Sequence, residues 1–140
     1  MKSMQTKKVT QQTADWSLMT QRLTALFGAS GIACAAYGAH GVEKWANAQE
    51  VLWWQKAASF HLFGTLFLFS LVSLYRHRQV SKLALPFFSF GTLIFSGTLY
   101  AMALGGPRIL GAITPIGGSC LILGFLSLLK VSSKSASSKN

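Results

Sequence analysis

Four stretches without a single Asp, Glu, Lys or Arg constrain this chain more than anything else in it: Leu23–Gly41, Ala57–Tyr75, Leu83–Leu104 and Ile109–Leu129. At about 1.5 Å of rise per residue, each approaches the ~20 residues that a helix needs to cross the hydrocarbon core of a bilayer. Charged residues make up 11% of the 140 residues, where a soluble domain carries about a quarter, and the deficit is concentrated in these stretches. The expectation is an all-α integral membrane protein: a four-helix bundle with spans at about 23–41, 57–75, 83–104 and 109–129 inside one transmembrane domain over 22–130.

The net charge of +10 comes from 13 Lys and Arg against three acidic residues. On a soluble chain that balance points to nucleic acid. Here the basic residues flank apolar spans, with no basic helix or base-stacking module, so no nucleic-acid partner is expected. They also sort by side. The N-terminal arm, the second connection (Arg76, Arg78, Lys82) and the C-terminal tail carry ten; the first connection (Lys44, Lys56) and the third (Arg108) carry three. The positive-inside rule therefore predicts both termini on the cytoplasmic side, with anionic headgroups as the partner of the basic face. The arm over 1–21 and the tail over 131–140, rich in Ser, Thr, Gln and Lys, are expected to be disordered. Within the first connection, Val42, Trp45, Gln49, Leu52 and Trp53 recur at helical spacing, which predicts a short interfacial helix leading into the second span.

Lipid tails are as apolar as leucine, so membrane helices associate through small residues that let backbones approach. Gly31, Ala35 and Gly38 in the first span, Gly97 and Ala101 in the third, and Gly117 and Gly118 in the fourth are the predicted packing positions. They predict that the first, third and fourth spans make the closest contacts while the Phe- and Leu-rich second span adds bulk. Pro115 lies about two turns into the fourth span and is expected to kink it. Cys34 and Cys120 form no Cys-x-x-Cys pattern and read as small apolar packing residues.

Helical rise places His40, His61, Tyr100 and Thr114 at a similar depth, with Gln55, Ser59 and Ser96 near them. One polar side chain per span at a common height marks a candidate site. The leading reading is a hydrogen-bonded clasp between helices. The alternative is a ligand cleft or small carrier with a polar site near the outer face. Two histidines without a third strong ligand or a carboxylate make a haem or metal centre the weakest option, so no metal and no cofactor is expected. No catalytic residues are expected either, because nothing supplies a nucleophile with an orienting acid.

Local strings carry a resemblance. Tyr37-Gly38-Ala39-His40-Gly41, Phe60-His61, Phe95-Ser96-Gly97-Thr98-Leu99-Tyr100 and Thr114-Pro115-Ile116-Gly117-Gly118 occur in order on four successive spans. Over about Arg22–Leu129 the chain resembles the YgdD-like family of uncharacterised small inner-membrane proteins, which has mitochondrial relatives. The resemblance implies a helical protein of the bacterial inner membrane, or the mitochondrial inner membrane in a eukaryote. It implies no activity, substrate or cofactor. It also implies a Tyr-Gln pair ahead of the second-span histidine, where this chain has Ala57 and Ala58. The functional expectation is a non-enzymatic interaction or assembly factor with a membrane-protein partner, and a ligand-binding carrier as the alternative.

Overall fold

A computed structural model describes residues 2–76, 81 and 83–129, with side chains for 18–74, 81 and 83–129. Over these residues the protein is helical: α1 is Lys2–His40, α2 is Ala48–Arg76, α3 is Ala84–Ala103 and α4 is Leu110–Leu128, with one 3-10 turn, Val42–Lys44, between α1 and α2. By length and composition three of the helices can cross a membrane, over Ala48–Leu74, Ala84–Ala103 and Leu110–Leu128. The first predicted span falls in α1, where glycine, alanine and serine dilute the apolar residues. The tail over 131–140 lies outside the described residues.

Two expectations are corrected at the start of the chain. The arm expected to be disordered continues α1 as helix back to Lys2. It is built from Lys, Gln, Met and Thr, with no Gly or Pro to stop propagation from the apolar segment. The first connection does not hold a separate interfacial helix. It is a single 3-10 turn, and residues from Ala48 onward already belong to α2. Asn47 sets that boundary. Its Oδ1 accepts the N–H groups of Gln49 (2.9 Å) and Glu50 (3.0 Å), while Glu50 Oε2 accepts the N–H of Asn47 (2.8 Å). This reciprocal box satisfies donors that the first turn of a helix leaves open.

The turn between α3 and α4 is equally determined by local chemistry. Gly105 has φ of 85°, which a side chain would strain. Its N–H donates to the Met102 carbonyl at 3.1 Å, and that of Gly106 to Ala101 at 2.8 Å. These paired bonds close the C-terminus of α3 and reverse the chain. Pro86 sits in the first turn of α3, where its missing N–H is harmless. Pro115 lies inside α4, which remains helical through it.

The helices pack as a row: α1 on α2, α2 on α3, α3 on α4. The backbone of α1 approaches neither α3 nor α4, which overturns the expected pairing of the first, third and fourth spans. The glycine ridge of α1 serves α2 instead. A Cβ built on Gly28 would stand 2.9 Å from Thr65 Cγ2, one on Gly31 3.0 Å from Leu62 Cδ2, and one on Gly38 2.7 Å from Trp54 Cδ1. The α3–α4 crossing is tighter, backbone on backbone: a Cβ on Gly117 would stand 2.5 Å from the Phe95 amide nitrogen and 3.0 Å from the Gly91 carbonyl oxygen. Gly118 lies in ordinary contact with the Phe95 ring, and Gly97 faces open space. The small-residue row Gly97, Ala101, Gly105 has the right spacing for a contact face. The packed face of α3 is instead the adjacent one, through Gly91, Thr92, Ser96 and Leu99.

Candidate functional site

Three helices meet around Tyr100, at the end of the molecule that carries the first connection. His61 of α2 is 5% exposed. Its ring lies against the Phe27 ring of α1, centroids 4.0 Å apart, and beside Gly31, whose missing side chain makes room for it. The Tyr100 hydroxyl stands 3.5 Å from His61 Nδ1, at the long end of hydrogen-bond range. Tyr100 and Cys34 of α1 pack against the same buried core of Val42, Trp54 and Ala103. Trp54 closes the node: its indole N–H donates to the Cys34 carbonyl at 2.8 Å, and its ring meets Tyr100 edge-on at 5.0 Å.

Further out, Trp45 and Tyr37 stack edgewise on Trp54, and the Trp45 indole N–H donates to the Tyr37 hydroxyl at 3.0 Å. Val42, completely buried, packs under Trp54 with Ala103. Indoles and phenols suit this position because each joins a broad apolar body to one polar tip.

The four residues placed at one depth by sequence are therefore not one cluster. His61 and Tyr100 come together. Thr114 pairs with Thr98 of α3 at 2.8 Å, in a separate α3–α4 contact. His40 is exposed at the end of α1, with no hydrogen bond or ring contact among the described residues. Helical rise gives the height of a residue but not its direction around the helix, and direction separates these four. Cys34, Trp54 and Thr98 were missed as partners. The signal for the first two was the spacing of Cys34 and Gly38, one turn apart beside an interfacial tryptophan.

Three buried polar atoms around this node have no hydrogen-bond partner among the described residues: His61 Nε2, Thr92 Oγ1 and Ser96 Oγ. On the other side of His61's helix, α1 and α2 enclose an open groove of about 230 Å³, walled by Gly38, Ala35, Ala58 and Trp54 and carrying the polar side chains of Gln55 and Ser59. Ala57 is 0% exposed, so a tyrosine there requires a rearranged contact, whereas Ala58, 3% exposed, borders the groove. Among the described residues, no three His, Cys, Asp or Glu side chains are placed to hold a metal ion.

Apolar helices long enough to span a bilayer, joined by small-residue contacts and polar side chains that bridge helices, define a small integral membrane protein. Comparison with known proteins narrows this. The family described as "Protein of unknown function (DUF423)" matches residues 34–118, and the chain belongs to that family. It is 33% identical over 116 residues to a UPF0382 membrane protein of Haemophilus influenzae, covering 82% of this chain and 94% of that one. It is 38% identical over 109 residues to a UPF0382 membrane protein of Staphylococcus saprophyticus, covering 76% and 90%. The UPF0382 inner membrane protein YgdD of Escherichia coli is 34% identical over 118 residues, covering 79% and 89%. No solved structure matches. The resemblance read from the four strings is thereby shown, and with it an inner-membrane location.

Proposed function

We propose that this protein is a non-enzymatic interaction or assembly factor of the inner membrane, one that presents helical surface to another membrane protein. The observation that carries the reading is the row packing. Only 11% of the α4 span is buried, against 44% for α2, so the last helix leaves the side turned away from α3 uncovered. Its interior face is fixed by Gly117 and Gly124 against α3, while Ile113, Ile116, Ile122 and Phe125 remain exposed. In this reading both termini lie on the cytoplasmic side, with the basic segments against anionic headgroups.

A photo-crosslinking side chain placed at Ile116 or Ile122 in cells tests this. The expected result is one discrete protein adduct from neighbouring α4 positions and none from Phe90 on α3. Lipid adducts from every position sink the proposal. Reporter fusions to each terminus test the orientation separately. A second reading, a small ligand-binding carrier, is favoured by the α1–α2 groove with Gln55 and Ser59. It requires solute uptake by liposomes holding the purified protein, reduced by Gln55→Leu.

A further inference from the structure

The open groove of about 230 Å³ between α1 and α2 follows from the residues that form its walls. At its end Trp54 stands between the two helices. Its indole N–H is held by the Cys34 carbonyl at 2.8 Å, and its ring sits on Gly38, where a Cβ would lie 2.7 Å away. Beside the indole, Ala35, Ala39 and Ala58 bring only methyl groups to the contact, so the helices part along this flank. Gln55, Ser59 and Leu62 form the α2 wall at i, i+4 and i+7, on one side of that helix. Phe60 and Gly64, which meet Phe95 and Thr92 of α3, lie on another side. The groove therefore opens away from α3, on the surface that the spanning helices turn to the bilayer.

Its chemistry changes along its length. Gly38 and Ala39 lie just before His40, the last residue of α1. Gln55 is about 10 Å along the axis from Ala48, where the α2 span begins, and Leu62 is about 10 Å further in. The deep part, between Ala35, Ala58 and Leu62, is apolar. The polar part is at the mouth. There the Ser59 hydroxyl is already donated to the Gln55 carbonyl at 2.9 Å. The side-chain amide of Gln55 is exposed and has no partner among the described residues. A carboxamide has two N–H donors to give, and a polar side chain left unpaired in a membrane span is costly. No Asp, Glu, Lys, Arg or His side chain lines the groove, so nothing in it selects a charged solute.

We propose that this groove holds one acyl chain of a phospholipid, with an ester or phosphate oxygen of the same molecule accepting from the Gln55 amide. The groove is continuous with the surface that the bilayer already covers, where lipid is the solvent. A phospholipid matches the polarity from mouth to floor: its ester and phosphodiester oxygens accept hydrogen bonds, and its chain suits walls of Ala and Leu. A polar solute in the same place would set its own groups against apolar walls without partners. The site puts a lipid where the carrier reading puts a solute, and it does not depend on the α4 surface.

The full chain is reconstituted in nanodiscs of phosphatidylethanolamine and phosphatidylglycerol, moved into excess detergent and weighed by native mass spectrometry. The unmodified protein should keep a single phospholipid. Gln55→Leu should lower the retained fraction about three- to tenfold, the worth of one net hydrogen bond. Ser59→Leu combined with Ala39→Leu fills the groove from two exposed positions and should abolish retention. No retained lipid, or unchanged retention in either variant, overturns the proposal. So does a lipid-free dimer, which would put a helix of a second copy in the groove. A solute cleft is open to water. Ser59→Cys, in a chain carrying Cys34→Ala and Cys120→Ala, should therefore resist a membrane-impermeant thiol reagent in the nanodisc, and rapid modification overturns the lipid site. If a variant fails to fold, the unmodified protein decides, using a phospholipid with a diazirine in its chain kept through the same detergent wash. Adducts on the α1 and α2 walls support the site, and adducts on α3 or α4 overturn it.

Discussion

Among the described residues, the three-helix contacts at the two ends of the molecule are held by different physics. At one end α1, α2 and α3 meet around Tyr100, and the contacts are directional: an indole N–H to a carbonyl, a phenol to an imidazole. At the other end α2, α3 and α4 meet around Phe88, and the contacts are apolar. Phe67 and Phe88 stack within 3° of parallel at 5.2 Å, and Phe125 stands edge-on to both at 4.7 and 4.8 Å. Leu68, Leu71 and Ala84 complete that core. The phenylalanine node fills volume and tolerates small rotations. The tyrosine node specifies which atom meets which, so it fixes the register of α1 and α3 against α2. A row of helices needs both, because the backbones of its terminal helices each approach a single neighbouring helix.

The contrast can be broken by substitution. Phe88→Ala should give the largest effect, about 3–5 kcal/mol of lost stability, since it opens a cavity among three helices. Thermal unfolding in detergent reads it; a loss below about 1 kcal/mol means that the node is not packed as described. Tyr100→Phe keeps the ring and removes the hydroxyl, so it should cost about 1 kcal/mol while loosening α1. Hydrogen exchange along α1 checks the second part, and unchanged protection there would show that Tyr100 does not fix the register. Thr114→Val should cost about 0.6 kcal/mol, the usual worth of a polar contact between membrane helices. It should leave α1 protection untouched, because Thr114 belongs to the α3–α4 contact. The smallest expected quantity is the coupling between the nodes. Phe88 and Tyr100 are twelve residues apart on α3, about 18 Å along the axis, so the double variant should be additive within about 0.5 kcal/mol. A larger coupling would mean that the two ends act as one.

Much of this architecture is legible in sequence, for identifiable reasons. Charge-free segments of spanning length locate the helices, because the cost of carrying a charge into hydrocarbon leaves a clean pattern. Gly31, Gly38 and Gly117 were recognisable as contact positions, and the structure puts all three against a neighbouring helix. Gly97 shows the limit. Its spacing to Ala101 matches a packing ridge, yet the residue faces outward. Whether a small residue lies on a contact depends on the rotation of its helix, which partner shape decides and spacing does not. The same limit separated His40 from His61: both heights were readable, their bearings were not. Cys34 escaped notice because its role is partly that of its backbone carbonyl, which any residue possesses.

The row order also bears on how the protein is made. A closed bundle is complete only when its last helix returns to its first. Here each helix docks on the one synthesised just before it, and α4 never needs to find α1. The glycine ridge of α1 waits for its partner only as long as translation takes to deliver α2, with the Asn47 cap turning the chain back at once. Contacts between neighbours in sequence form early and with little loss of chain entropy. Assembly can therefore proceed helix by helix in the order of translation, with no step that depends on the far end of the chain.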